Sequence, residues 1–162
     1  MCKFRFQIKK SKMIQDQITL ENRHKNFVKK VSENEIVYAL KNDRGYATSS
    51  SNEIEDEDGN PVEIICFWSD KAIAKSCIKN EWSEYEIDEL NLSEFLENWC
   101  IGMSSDGLIV GTNFDQNLFG YEVEPLELIL EIITALNLQN KQIKLKKFDG
   151  IKDLETQINE IL

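Results

Sequence analysis

Leu20, His24, Phe27, Val28 and Val31 stand at i, i+4, i+7, i+8 and i+11, the spacing that lines one face of a helix of period 3.6. The pattern predicts a first helix from about Thr19 to Ser32. The period then shortens to two. EIVYAL (35–40) and GYATS (45–49) flank the turn-forming KNDR, as a β-hairpin requires. SSSNEIEDEDGNP (49–61) is polar and acidic with a closing turn at Asp58 to Pro61, and reads as a long exposed loop. VEIICFW (62–68) returns as a buried strand. Ser69 is then placed to cap a short helix carrying Ala72, Ile73, Ala74, Cys77 and Ile78 on its apolar positions.

YEIDEL (85–90) reads as a short connecting strand. The clearest pattern follows: Leu92, Phe95, Leu96, Trp99, Cys100 and Met103 recur at i, i+3, i+4, i+7, i+8 and i+11. Asn91 stands three residues before Glu94, a variant of the capping-box spacing, and Asp106-Gly107 ends the helix. LIVGTNF and LFGYEV around DQN predict a second hairpin. Pro125 is placed as the first residue of a helix whose face is Leu126, Ile129, Leu130 and Ile133. From Asn140 charged and apolar residues alternate, predicting a strand and then a short terminal helix. Hairpins separated by helices make the class α+β, a small antiparallel or mixed sheet with helices packed on it. The expected organisation is one α+β domain over residues 16–139. A basic N-terminal extension, residues 1–15, is expected to lie outside the fold, and residues 140–162 form a basic strand/helix extension.

Composition narrows the functions this fold could serve. At 162 residues, 41% hydrophobic, with two prolines and seven glycines, the chain suits an ordinary globular domain. No apolar run approaches the roughly 20 residues that cross a bilayer. The opening MCKFRFQIKKSK lacks the apolar block and cleavage site of a secretory signal, so a cytoplasmic location is expected. Charge is segregated more sharply than the net −10 suggests. Residues 1–12 hold five basic groups and no acid, and Lys141, Lys144, Lys146 and Lys147 form a second basic cluster. Residues 13–140 carry 25 acids against 9 bases, a net −16, and residues 80–140 contain 13 acids with no Lys or Arg.

FVKKVSENEIVYALKNDRGYA, FWSDKAIAKSCIKNEWSEYEIDELNLSEFLENW and DGLIVGTNFDQNLFGYEVEPLEL together resemble the bacterial family known as domain of unknown function 2750. The resemblance covers about Phe27 to Ile133, and the run F-W-S-D, helix, W, then L-S-E-F-L is fairly specific to that family. It implies a compact α+β domain and supplies no activity or catalytic residues. The chain departs from the family pattern in its acidic segment, residues 49–60, and in both basic tails.

Motifs for chemistry are sparse. Cys2, Cys66, Cys77 and Cys100 form no C-x-x-C pair, which argues against a zinc knuckle or a redox pair. Cys66 lies in an apolar strand and Cys77 late in its helix, positions that suit packing better than a stabilised thiolate. His24, the single histidine, shares a face with apolar residues, so a structural place is expected for it. An EF-hand register that sets Gly59 at position 6 puts Ile54 at 1 and Ile65 at 12, where ligands are required. DGLIVGTNFDQNLFG has neither Walker spacing nor G-x-G-x-x-G. No catalytic residue, metal site or cofactor is expected.

The acidic centre remains. It should repel nucleic acid and attract basic proteins. The expected function is a non-enzymatic acidic binding protein, an immunity protein that neutralises a basic toxin such as a nuclease. The expected partner-binding residues are Glu55, Asp56, Glu57, Asp58, Glu84, Glu86, Asp88 and Glu89. The alternative is a stand-alone regulatory or small-molecule-binding domain with Tyr38, Trp68, Trp82 and Tyr121 around a pocket. A third reading, an enzyme using Cys77 or His24, would need an accessible nucleophile.

Overall fold

The computed structural model describes the backbone from Cys2 to Leu162, with side chains described from Asp16 onward. The expectation for residues 1–15 as an extension therefore falls on side chains outside the described residues. Helix α1 (Cys2–Asn34) begins well before the predicted Thr19, since neither glycine nor proline interrupts residues 1–34. It stops where Glu35 takes a left-handed φ of 57°. Strands β1 (Ile36–Asn42) and β2 (Gly45–Tyr46) form the first predicted hairpin, with Lys41 opposite Tyr46.

Residues 49–60 correct the sequence expectation. β3 (Thr48–Glu55) is an antiparallel strand against β4 (Pro61–Phe67), with Thr48 opposite Ile65, and only the tip from Asp56 to Asn60 is a turn. A strand forms despite its polarity because this edge needs only one pairing neighbour, and most of its side chains face solvent. Helix α2 (Lys71–Ser76) is capped by Asp70 rather than Ser69. The Asp70 carboxylate accepts from the Ala72 N–H at 2.8 Å, while the Ser69 N–H is held by Asn113 Oδ1.

β5 (Glu86–Asn91) is a full partner of β1, paired from Ile36↔Asn91 to Lys41↔Glu86. Helix α3 follows as one continuous element, Leu92–Glu94, a π-helical segment Phe95–Cys100, and Ile101–Ser105. Asn91 makes no side-chain cap there, against expectation, and the Leu92 N–H bonds the Glu35 carbonyl instead. β6 (Ile109–Thr112) and β7 (Tyr121–Val123) form the second hairpin. Pro125 opens α4 (Pro125–Leu138), and α5 (Ile151–Ile161) ends the chain. Residues 141–150 pair with no strand, although Ile143 and Leu145 are buried against the core, so burial of alternate residues here does not signal a ladder.

Among the described residues five helices pack on two sheets, one of order β2-β1-β5 and one of order β3-β4-β6-β7, in which β4 and β6 are parallel. The sheets join where Tyr38 and Trp68 exchange backbone hydrogen bonds of 2.8 Å each. Alternation along β4 then divides the interior. Ile64, Cys66 and Trp68 face a smaller cluster with Leu40, Cys77, Trp82 and Phe114. Phe67 faces the main core with Phe27, Val31, Phe95, Leu96, Ile129 and Ile133. α5 adds Leu154 and Ile158 to that core. Each large side chain buried here contributes roughly 1.5–3 kcal/mol. Among the described residues no helix is long and apolar enough to cross a membrane.

Candidate functional site

The eight acids expected to bind a partner fall into two groups on different sheets. Glu55, Asp56, Glu57 and Asp58 occupy the β3–β4 tip; Glu84, Glu86, Asp88 and Glu89 run into and along β5. Two of them already have work inside the molecule. Asp56 Oδ1 accepts from the N–H groups of Asp58 and Asn60, both at 2.9 Å, and so builds its own turn. Asp88 receives the Tyr46 hydroxyl at 2.7 Å and the Lys41 ammonium at 3.3 Å. Burial and the Asp88 carboxylate push the Tyr46 hydroxyl up to about 12. Glu89 meets Lys71 only at 3.7 Å across an exposed gap, and Glu84 and Glu86 are exposed.

His24 is the centre of a constellation that the sequence pattern conceals. Its Nε2 lies 2.6 Å from Glu131 Oε2, its Nδ1 lies 2.9 Å from Thr112 Oγ1, and Tyr121 stacks on its ring at 4.1 Å. Carboxylate, imidazole and hydroxyl in series is the order of a nucleophilic triad. Here, however, Thr112 is wholly buried in β6, so no substrate carbonyl can reach its oxygen. The arrangement instead fastens α1 to α4 and β6, in keeping with a structural histidine. The adjacent Asn113, at φ 49°, makes a separate set of bonds: its amide donates to Ser69 Oγ at 3.0 Å, and its oxygen accepts from the Ser69 N–H. The one legible signal was a Thr-Asn pair interrupting an apolar strand; nothing in the α4 sequence marked Glu131.

Cys66, Cys77 and Cys100 are buried, and burial raises all three thiol pKa values. In a Cys2→Ser background, a thiol reagent should therefore label native protein no faster than the protein unfolds. Fast labelling of any of the three would contradict the packing described here.

The four aromatic residues proposed to ring a pocket are divided. Tyr38, Trp68 and Trp82 belong to the smaller cluster, with the Trp68 and Trp82 rings edge to face at 5.9 Å, while Tyr121 packs on the main core beside His24. A cleft of about 260 Å³ does open over Trp82, between the 3-10 turn Asn80–Trp82 and the loop at Gln116 to Leu118. Among the described residues no group of three or more His, Cys, Asp or Glu is placed to hold a metal ion.

No curated protein and no solved structure matches the chain. Residues 24–132 match the family described as Protein of unknown function (DUF2750), a segment that runs from His24 through β1–β7 and α2–α3 into α4 and includes Glu131. The match spans well over half of the chain, which belongs to that family.

Proposed function

We propose that this chain is a non-enzymatic binding protein whose acidic surface captures a basic protein, acting as an immunity protein against a basic toxin such as a nuclease of interbacterial competition. The observation that carries the reading is the free edge strand β5, where Glu86 and Glu89 stand exposed beside Glu84, within 61 residues that contain no Lys or Arg. Acids on a free edge also keep sheets from pairing with one another. That role explains carboxylates on β3 and β5. It does not explain why cations are missing from α3, α4 and the loops between them.

A nuclease presents Lys and Arg where it grips phosphate. Exposed carboxylates on a rigid strand meet those groups at little cost in reorganisation and speed the encounter. Asp88 and Asp56, bound internally, hold the flanking acids in place rather than contact the partner. The test is the triple variant Glu84→Lys, Glu86→Lys, Glu89→Lys, compared with the unaltered chain for binding to a basic partner recovered at low salt. The association rate should fall at least about tenfold at low salt, and its dependence on ionic strength should flatten. Unchanged rate and unchanged salt dependence would end this reading.

A further inference from the structure

The cleft over Trp82 has features that the acidic surface does not explain. Both walls are tight, hydrogen-bonded turns. On one, the Trp82 N–H bonds the Lys79 carbonyl at 3.0 Å and the Ser83 N–H bonds the Asn80 carbonyl at 3.2 Å. On the other, the Asp115 carboxylate accepts from the N–H groups of Asn117 and Phe119, and the Leu118 N–H bonds the Asp115 carbonyl at 3.0 Å. Each wall carries a non-glycine residue in the left-handed region, Asn80 at φ 54° and Leu118 at φ 63°. For a bulky residue such as Leu118 that backbone is unfavourable, and such positions gather where a structure is held ready for a ligand.

The lining has one cation, Lys79, and one carboxylate, Glu81, among the neutral amides of Asn80, Gln116 and Asn117. Half-buried Leu118 supplies the apolar surface, above the buried Trp82 that forms the floor. Lys79 is the last cation before the 61-residue acidic stretch, and its ammonium is met by the neutral Gln116 carbonyl across the cleft rather than by a carboxylate. A lining of zero net charge on a chain of net charge −10 selects against simple ions. An anion is repelled by the body, and a cation is drawn equally to many other acids.

The geometry points to a binding site for a free α-amino acid. Its carboxylate takes the place of the Gln116 amide on Lys79, its ammonium pairs with Glu81, and its side chain lies over Trp82 and Leu118. A preformed cleft of about 260 Å³ suits a ligand of that size and needs no ordering of loops on binding. This assignment is independent of the basic-protein reading, because the residues that test it are not those reversed on β5.

The experiment is thermal unfolding and titration calorimetry of the full chain with each free L-amino acid. The controls are isoamylamine and isocaproate, which are leucine without its carboxylate and without its amine. At least one aliphatic amino acid should raise the melting temperature, by on the order of 5 °C when present far above its Kd, and both controls should fail. Lys79→Met and Glu81→Gln should each weaken binding roughly tenfold to a hundredfold. Lys75→Met, on an exposed neighbour outside the cleft, should leave binding unchanged. Lys79 and Glu81 are exposed, and circular dichroism would verify that their variants fold. The proposal is overturned if no amino acid stabilises the protein, if the amine or acid alone does so equally, or if binding survives both substitutions.

Discussion

Replacing Gly120 by alanine should destabilise the domain by about 3 kcal/mol, the upper end of what overpacking usually costs. A Cβ at this position would stand 1.9 Å from Phe114 Cδ1, 2.6 Å from Cε1 and 2.7 Å from Cγ. The contact is with the root of the ring as well as its edge, so a small rotation cannot relieve it. The ring has nowhere to retreat: Gly111 lies against it too, where a Cβ would meet Phe114 Cε1 at 2.7 Å and Ile64 Cγ2 at 2.8 Å. Phe114 is therefore seated between two glycines, with its own carbonyl held by the Trp68 indole N–H at 2.8 Å and the Cys77 thiol at 3.4 Å.

Urea unfolding gives the test, with a lower midpoint at unchanged slope as the expected result. Phe114→Leu in the Gly120→Ala background should recover part of the loss, although Phe114→Leu alone destabilises. The two changes should therefore depart from additivity by about 1 kcal/mol or more. Strict additivity would mean that the ring and the glycine do not meet as described.

That glycine seat was not legible in the sequence, and the reason is general. Gly111 and Gly120 read as turn punctuation because local pattern says nothing about a ring arriving from the loop between them. Patterns confined to one element fared better. The α3 stripe from Leu92 to Met103 and the Pro125 helix start rest on contacts a turn or two apart, and both appear where expected. Likewise, the hairpin at Asn42 and Gly45 is written in its turn residues.

Non-local pairing defeated the reading in two places. β3 reads as a loop in the sequence because its polarity, with Ile54 as its one apolar residue, suits an edge strand as well as it suits a loop. The parallel pairing of β4 with β6 joins segments more than forty residues apart, with α2, β5 and α3 between them, so no local signal could state it. Capping failed for a related reason. Ser69 and Asn91 are ordinary cap residues, yet the Ser69 hydroxyl is engaged by the Asn113 amide while Asp70 takes the Ala72 N–H, and Asn91 leads into a helix whose first N–H, on Leu92, bonds the Glu35 carbonyl.

The site was legible in composition more than in geometry. Acidity singles out the carboxylates of the candidate β5 edge, of which Glu84, Glu86 and Glu89 are exposed, but does not distinguish them from Asp88, whose neighbours Tyr46 and Lys41 come from other strands. His24 is buried, as its apolar companions imply. Its partners Thr112 and Glu131 lie 88 and 107 residues away, and only folding brings them together. The cleft over Trp82 went unread because its walls come from two turns, neither of which carries a recognisable motif.

Trp68→Ala should have the largest effect of any single substitution considered, a loss of about 3–5 kcal/mol. Such a loss is a large share of the roughly 5–15 kcal/mol by which domains are usually stable. Three interactions meet at this residue. Its backbone exchanges both hydrogen bonds with Tyr38, the bridge that joins the two sheets, and its fully buried ring packs edge to face on Trp82. Its indole N–H then fixes the Phe114 carbonyl, and with it the loop that walls the cleft.

Substitution by alanine leaves the backbone bridge in place but opens a cavity beneath it and removes a donor from a buried carbonyl. Trp68→Phe separates the two effects, since it retains most of the packing and loses the N–H. It should cost about 1 kcal/mol, the value of one hydrogen bond, because the Cys77 thiol still donates weakly to the same carbonyl. The remaining Trp82 and Trp99 report unfolding by fluorescence in both variants. A loss below about 1 kcal/mol for Trp68→Ala would mean that the smaller cluster adds little to stability. The sheets would then be held together by the main core and the backbone bridge.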